Sequence, residues 1–138
     1  MKDYIEPFDS LDFIYLASPY SHPDPAVRLD RYHRVALVAG KLMQEGYTVF
    51  CPIAHSHQIG IALNKPTDHA FWVAQDMPFL RAASSIYVLI LDGWKESVGV
   101  AYEIALAYEM DKGIVYIAED GRGGDDPEFL EPCVWEED

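Results

Sequence analysis

Two carboxylate residues in this sequence lie among apolar neighbours. Glu103 is the single charged residue between Val98 and Tyr108, and its neighbours at helical spacing are small or apolar. Burial of an unpaired carboxylate costs several kcal/mol, so Glu103 either has a structural partner or lines a pocket. Asp76 lies in a similar setting just before Pro78. Two carboxylates around one cleft permit covalent attack by one and proton transfer by the other.

Three further acidic residues compete with Asp76 for the second role, and composition does not choose among them: Asp68, Asp92 and Glu96. A structural glutamate bonded to the backbone or to a tyrosine hydroxyl is the alternative for Glu103. We favour a functional role because the helix that carries Glu103 follows the strongest strand signal, at the mouth of the predicted site.

Small and hydroxyl-bearing residues surround these carboxylates in the sequence. Ser97 suits the N-cap of the Glu103 helix, and Gly99 would let a ligand approach the backbone closely. The N–H groups at such a helix start also suit an anion. The segment 17–22 collects hydroxyl and aromatic side chains after an apolar run. An ordinary helix cap and an ordinary turn are the structural alternatives.

The hydrophobic pattern predicts the elements that position these residues. Apolar runs rich in β-branched residues predict strands, and apolar residues at helical spacing, ended by glycine, predict helices. The predicted strands are 13–18, 47–53, 85–91 and 114–118. The predicted helices are 28–45, 67–83 (kinked or split at Pro78) and 97–110, with 55–64 irregular or weakly helical.

This alternation predicts a doubly wound α/β fold, with a parallel sheet of four or five strands covered on both faces. In such sheets ligands bind beyond the carboxyl ends of the strands, where the strand order reverses. The rule selects the segments 17–22, 51–58 and 92–99 as candidate site segments.

The composition limits the class of protein. The 138 residues include 10 Lys and Arg against 23 Asp and Glu, a net charge of −13, which argues against a nucleic acid polymer as partner. No membrane span, secretory signal or disulfide framework is predicted, so we expect a cytoplasmic protein. The acidic, glycine-rich C-terminus predicts a domain over residues 1–118 and a solvated tail over 119–138.

Metal or organic-cofactor chemistry has weak support in the sequence. One cysteine and three histidines suggest a metal site, but their spacing matches no paired zinc motif: Cys51, His55, His57 and His69. A histidine that contacts phosphate or base is the favoured interpretation. The sequence also lacks a P-loop, a dinucleotide fingerprint and a GxSxG elbow. We therefore expect no metal and no organic cofactor.

The motifs together resemble the nucleoside 2-deoxyribosyltransferase superfamily over about residues 13–117. They are Tyr-Leu-Ala-Ser-Pro-Tyr at 15–20, Gly-Tyr-Thr-Val-Phe-Cys-Pro at 46–52, Asp76 four residues before Leu80, and Ser-Val-Gly-Val-Ala-Tyr-Glu at 97–103. The resemblance implies a flavodoxin-like sheet and cleavage of an N-glycosidic bond. It implies that Glu103 attacks C1′ of a deoxyribose, that Asp76 handles the proton of the base, and that Tyr15, Ser18 and Tyr20 contact sugar and base.

The residue at position 97 separates two branches of this superfamily. The transferases carry an aspartate there, whereas the 2′-deoxynucleoside 5′-phosphate N-hydrolases carry serine, which suits a phosphate. Ser97 therefore favours the hydrolases, with Ser18 and the helix N-terminus as further phosphate contacts. The chain departs from the superfamily pattern at Ala83-Ser84 and in its first loop, Ser18 to Pro23, which makes it most similar to a further branch common in bacteria and phages.

The expected function is hydrolysis of a 2′-deoxynucleoside 5′-monophosphate, with Tyr15, Tyr20 and Trp94 available to stack on the base. The expected partner is a small nucleotide or nucleoside, and the resemblance implies a homodimer or larger homo-oligomer. Two alternatives stay open. One is a non-catalytic nucleotide-binding module, and the other is deoxyribosyl transfer between bases.

Overall fold

The computed structural model describes residues 12–130, which form one sheet flanked by four helices. The strands are β1 (Ile14–Ala17), β2 (Val49–Phe50), β3 (Ser85–Leu89), β4 (Gly113–Ile117) and β5 (Gly123–Gly124). The helices are α1 (Pro25–Gln44), α2 (Pro52–Leu63), α3 (His69–Ala82) and α4 (Val98–Glu109), followed by a 3-10 turn at Pro127–Phe129.

The sheet has the order β2-β1-β3-β4-β5. The first four strands run parallel, and β5 pairs with β4 in the antiparallel direction. After β2 the chain crosses to the other side of β1, so the strand order reverses between β1 and β3. The predicted doubly wound, flavodoxin-like fold is confirmed, and its ligand crevice is expected where the carboxyl ends of β1 and β3 diverge.

Both faces of the sheet are buried, as the continuous apolar strands predict. On one face, Tyr15 and Val88 pack against residues of α3 and α4, including Leu80 and Val100. On the other face, Leu16 and its neighbours pack against one side of α1: Val35, Val38, Ala39 and Leu42. Alternate residues of β1 therefore pack against helices on opposite faces of the sheet, and Tyr15 lies on the face covered by α3 and α4.

The N-termini of α3 and α4 are capped by their own side chains. Asp68 accepts a hydrogen bond from the backbone N–H of Phe71 (2.9 Å). Ser97 Oγ accepts one from the N–H of Val100 (3.2 Å), which confirms Ser97 as the expected N-cap. These caps fix where each carboxylate-bearing helix begins.

Two predicted elements were wrong. The segment 55–64, predicted as irregular or weakly helical, belongs to the regular helix α2, and β2 holds two residues where the sequence predicted seven. Pro52 explains both differences, because proline cannot donate to a strand ladder but suits the first position of a helix. Asn64 ends α2 in the left-handed conformation. In contrast, α3 continues through Pro78 as one helix, so Pro78 does not split it.

The chain remains packed after β4. Gly123 and Gly124 extend the sheet, and Leu130 is buried against Ile90 and Ala118, so packed structure reaches beyond residue 118. The division into a domain over 1–118 and a tail over 119–138 stays a prediction, since 131–138 lie outside the described residues. Within 12–130, none of the helices combines the length and apolar character needed to span a membrane.

Lys112 connects the start of β4 to the end of α3. Its Nζ donates to the carbonyl oxygens of Arg81 (2.9 Å) and Ala83 (2.6 Å). These carbonyls lie at a helix C-terminus, where backbone acceptors lack partners inside the helix and a cation is favourable.

We predict that Lys112→Met lowers the free energy of unfolding by about 1–2 kcal/mol, because the charge-assisted hydrogen bonds to the backbone are lost. Urea denaturation followed by circular dichroism measures this change. Lys65→Met, at an exposed position between α2 and α3, is the control and should change stability by less than about 0.5 kcal/mol. Equal effects of the two substitutions would contradict this role of Lys112.

Candidate active site

Glu103 lies in the second turn of α4 and faces the sheet next to Tyr15. Tyr15 is completely buried. Its hydroxyl makes no hydrogen bond of normal geometry to the described residues, yet it lies close enough to the Glu103 carboxyl for each group to influence the other's ionisation. Glu103 itself keeps some exposure to solvent while protein atoms surround most of its carboxyl group. The carboxyl is therefore dehydrated but still reachable from outside.

Asp76, in α3, is the second carboxyl of this site. Burial raises the pKa of Asp76 to about 6, and the nearby His55 opposes the shift. Burial also raises the pKa of Glu103 to about 8; the Tyr15 hydroxyl opposes this shift, and the charge of Asp76 adds to it. The structure therefore brings together the two carboxylates that the sequence selected.

These two carboxyl groups behave as a coupled pair. Each lies in a poorly hydrated position, and ionisation of Asp76 makes ionisation of Glu103 less favourable. Between about pH 6 and 8 the pair as a whole holds one proton. A pair that carries one proton can supply a nucleophile and an acid together.

The carboxyl end of β2 adds a third side to the site. Cys51 is buried, and burial raises the pKa of its thiol to about 11, with smaller contributions from Glu103 and Asp76. Phe50 stacks on Phe79 of α3 with ring centroids 4.1 Å apart, and His55 lies against both of these rings. This wall of aromatic rings and a thiol is apolar, which accounts for the poor hydration of Asp76.

The loop after β1 is held to α2 by Tyr20, and the α2 residue that it contacts is packed against α1. Tyr20 Oη and His57 Nδ1 of α2 share a hydrogen bond of 2.8 Å. Tyr32 of α1 stacks on the His57 ring at 4.0 Å. His57 Nε2 is buried and makes no hydrogen bond to the described residues. Tyr20 is therefore fixed at the edge of the crevice, with part of its surface exposed.

The other predicted contact residues have different surroundings. Tyr15 is completely buried and exposes no ring face to a ligand, and its hydroxyl lies close to the carboxyl of Glu103. Ser18 is 5% exposed and its hydroxyl donates to the carbonyl oxygen of Pro19 (3.3 Å). Trp94 is partly buried, 5.6 Å from the ring of Tyr116. A side chain at Gly99 would meet only Ser97 Oγ, at 3.9 Å, so space is open beside the α4 N-terminus.

The four residues that suggested a metal site have different neighbours in the structure. Cys51 and His55 lie near Asp76, His57 pairs with Tyr20, and the ring of His69 lies 5.9 Å from that of Tyr102. Within residues 12–130, no three side chains of the metal-binding types are grouped as ligands would be.

Two surface depressions lie away from the carboxyl pair. One, of about 440 Å³, is lined by residues 60–66 at the end of α2. The other, of about 290 Å³, lies between α1 and the β4–β5 side of the sheet. Neither contains a pair of adjacent carboxyl groups, so the site is identified by its chemistry and by its place at the strand-order reversal.

Comparison with known proteins identifies the family to which this chain belongs. Residues 12–119 match the model of a family described as a domain of unknown function, DUF1937. The chain belongs to that family. DUF1937 is grouped with the nucleoside 2-deoxyribosyltransferase-like proteins, which agrees with the superfamily that the sequence motifs indicated. Among curated proteins, none matches the sequence.

A solved structure supports the same fold for this DUF1937 domain. It is described as a 2-deoxyribosyltransferase from the psychrotolerant bacterium Bacillus psychrosaccharolyticus and is 23% identical to the chain. The match has a TM-score of 0.51 and covers 76% of this chain and 71% of that one. At this identity the likeness shows the fold, and the chemistry of the DUF1937 domain must be argued from its own residues.

Sequence reasoning missed several neighbours of the carboxyl pair. The sequence suggested a pocket role for His55 but did not predict its proximity to Asp76. Neither the Phe50–Phe79 stack nor the thiol of Cys51 was predicted at the site. The sequence did contain one indication of these neighbours. Segment 51–58 follows a predicted strand, and ligands bind beyond the carboxyl ends of the strands where the strand order reverses. The pairing of particular side chains requires the packing of α2 against α3, which the sequence pattern does not specify.

We predict that Asp76→Asn lowers the pKa of Glu103 below about 8, since the charge of Asp76 is one cause of the elevation. The value should stay above the ordinary glutamate pKa of about 4.3, because burial is the largest cause. A titration of the ¹³C-labelled carboxyl groups by NMR measures it. Asp68→Asn removes the same charge at the start of the same helix and keeps a capping side chain, so it serves as the control. A Glu103 pKa that is unchanged or higher in Asp76→Asn would disprove the coupling.

Proposed function

We propose that this DUF1937 domain hydrolyses the N-glycosidic bond of a 2′-deoxynucleoside 5′-monophosphate and releases the free base. The observation that carries this proposal is the coupled pair formed by Glu103 and Asp76 at the reversal of strand order. Buried carboxyl groups with separated pKa values are the arrangement that glycosidic cleavage requires. Membership in a family related to deoxyribosyltransferase-like proteins supports the same class of bond.

The reaction proceeds in two steps on these two side chains. A carboxylate oxygen of Glu103 bonds to C1′ while the bond from C1′ to the base nitrogen breaks, and Asp76 donates its proton to the departing base. Asp76 then takes a proton from water as the water oxygen bonds to C1′ and the Glu103 ester breaks. Both carboxyl groups return to their starting states, and the net reaction consumes one water.

For the reaction, the single proton of the pair must lie on Asp76 and Glu103 must be ionised before the bond breaks. The positive charge that develops at C1′ in the transition state then stabilises the Glu103 anion further. The bound base displaces water from Asp76, which favours its neutral form. The Tyr15 hydroxyl also favours ionised Glu103, as its effect on the Glu103 pKa shows. Substrate binding therefore favours the state in which Glu103 is ionised and Asp76 is protonated.

We assign the phosphate to the N-terminus of α4 and the base to aromatic side chains of the loops that follow β1 and β3. Ser97 Oγ already accepts from Val100 N–H, and its hydroxyl hydrogen remains able to donate to a phosphate oxygen. The open space at Gly99 and the N-terminus of α4 favour an anion at the same place. Tyr20 and Trp94 are the proposed base contacts. Ser18 is a further proposed phosphate contact. To donate to a phosphate oxygen, its hydroxyl must turn away from the carbonyl oxygen of Pro19.

We also propose that the protein acts as a homodimer or larger homo-oligomer. The outer face of α4, on the helix that carries Glu103, exposes three large apolar side chains: Val98 at 73%, Tyr102 at 40% and Tyr108 at 77%. Exposed apolar groups aligned on one helix face favour contact with another protein surface. A second copy bound there would lie close to the opening of the site.

The proposed function predicts release of free base from a 2′-deoxynucleoside 5′-monophosphate. Each such nucleotide, including modified pyrimidines, is incubated with the protein, and free base is measured by chromatography. Glu103→Gln preserves shape but removes the nucleophile, so release should fall by at least about 10³-fold while nucleotide binding is kept. The unphosphorylated deoxynucleosides serve as matched substrates that test the need for phosphate.

Three other outcomes would contradict this assignment. Base release that persists in Glu103→Gln would exclude Glu103 as the nucleophile. Exchange of one base for another on unphosphorylated deoxynucleosides would indicate a transferase. Saturable binding without turnover of any nucleotide would indicate a binding module.

A further inference from the structure

Arg31, in the second turn of α1, contacts two loops that the sequence separates by about 70 residues. Its Nη1 donates to the carbonyl oxygen of Ser21, in the loop after β1, at 2.9 Å. Its Nη2 donates to the carbonyl oxygen of Asp92, in the loop after β3, at 3.3 Å. One guanidinium group therefore bridges the two loops that follow β1 and β3, the strands between which the strand order reverses.

Gly93 makes room for this bridge. It has a φ of +90°, a conformation that residues with a side chain rarely adopt, and a Cβ at this position would overlap Nη2 of Arg31. The backbone at residue 93 thus fits the guanidinium closely. The loop after β3 is shaped around Arg31 as well as bonded to it.

Neighbouring arginines of α1 have other partners. Arg28 donates to the carbonyl oxygens of His22 and Pro23 within the first loop. Arg34 pairs with Asp30 in α1 and with Glu119 beyond β4. Arg34 therefore provides a matched control, because it is a charged residue one turn further along the same helix and touches neither loop.

We propose that Arg31 is a positioning residue that fixes the separation of the two loops and so sets the width of the ligand crevice. The proposal rests on the proposed function for the identity of the ligand. The planar fork of the guanidinium holds two acceptors at a fixed spacing, which the single ammonium of lysine cannot reproduce. Loops held in place before binding lose less entropy when the ligand arrives. Arg31 therefore acts on ligand binding through Tyr20 on one side and Trp94 on the other.

Amide hydrogen exchange tests the bridge without any need for activity. The N–H of Asp24 is bonded within the first loop, and the N–H of Trp94 is bonded within the second. In Arg31→Gln, exchange at both positions should be about tenfold faster, because both loops open more often. Arg34→Gln should leave both rates unchanged. Faster exchange in one loop alone, or in neither, would overturn the proposal.

Gly93→Ala provides an independent way to displace the guanidinium. Exchange should be faster in both loops of this variant, and adding Arg31→Gln should increase it by much less than it does in the wild type. If the two substitutions speed exchange by independent factors that multiply in the double variant, Gly93 and Arg31 are not coupled and this part of the proposal is overturned. If Gly93→Ala does not fold, Arg31→Lys replaces it: loss of the bridge in that variant should speed exchange almost as much as Arg31→Gln does, and wild-type rates would overturn the need for a fork.

Kinetics with the nucleotide that the base-release assay identifies give the functional result. Arg31→Gln should raise KM about tenfold and change kcat less than about twofold, since Arg31 touches neither Glu103 nor Asp76. Arg31→Lys should show the same pattern. A fall in kcat at constant KM would overturn the positioning role. Absence of turnover in the wild type would refute the proposed function, whereas the exchange rates would still decide whether Arg31 bridges the loops.

Discussion

The proposed active site depends on two carboxyl groups that are held close together and away from water. Glu103 and Asp76 each have a pKa above the ordinary value, with burial as the main cause. A carboxyl whose pKa is higher in the folded than in the unfolded state binds protons more tightly when folded, so its contribution to stability falls as pH rises through the interval between the two values. At neutral pH the rest of the fold must offset this cost. Such a cost is typical of functional sites rather than of structural ones.

The sheet topology makes this arrangement possible. Reversal of the strand order between β1 and β3 lets helices from different parts of the chain converge on one edge. Tyr15 lies in the interior strand β1. Helix α4 places Glu103 next to Tyr15, and α3 contributes Asp76. Phe50 and Phe79 stack on each other beside the site. Helices and strands, rather than loops, therefore position the carboxyl pair. The loops carry the contacts proposed for phosphate and base, and Arg31 connects them across the crevice.

The sequence predicted the fold well because the four parallel strands are short apolar runs bounded by turn residues, and because Ser97 and Gly46 mark helix ends. The glycine strand β5 has no such pattern and was not predicted. It failed at α2, where a proline after a strand-like segment begins a helix, and the local pattern resembles a longer strand. Glu103 was found because a lone charged residue among apolar neighbours is visible in the sequence itself. Asp76 was distinguished from its acidic competitors by the resemblance to the deoxyribosyltransferase superfamily. Their partners were not found in this way. The contacts of Glu103 with Tyr15, of Asp76 with His55 and of Arg31 with both loops arise from packing between distant segments, which hydrophobic periodicity does not encode.

Detection of the covalent intermediate tests the role of Glu103 most directly. A reaction with a 2′-deoxynucleoside 5′-monophosphate is quenched in acid during turnover, digested, and analysed by peptide mass spectrometry. We expect a deoxyribose 5-phosphate ester on the peptide that contains Glu103, located at that residue by fragmentation. An ester on Asp76, or turnover without any ester on the protein and with inverted configuration at C1′, would contradict the role of Glu103 as the nucleophile.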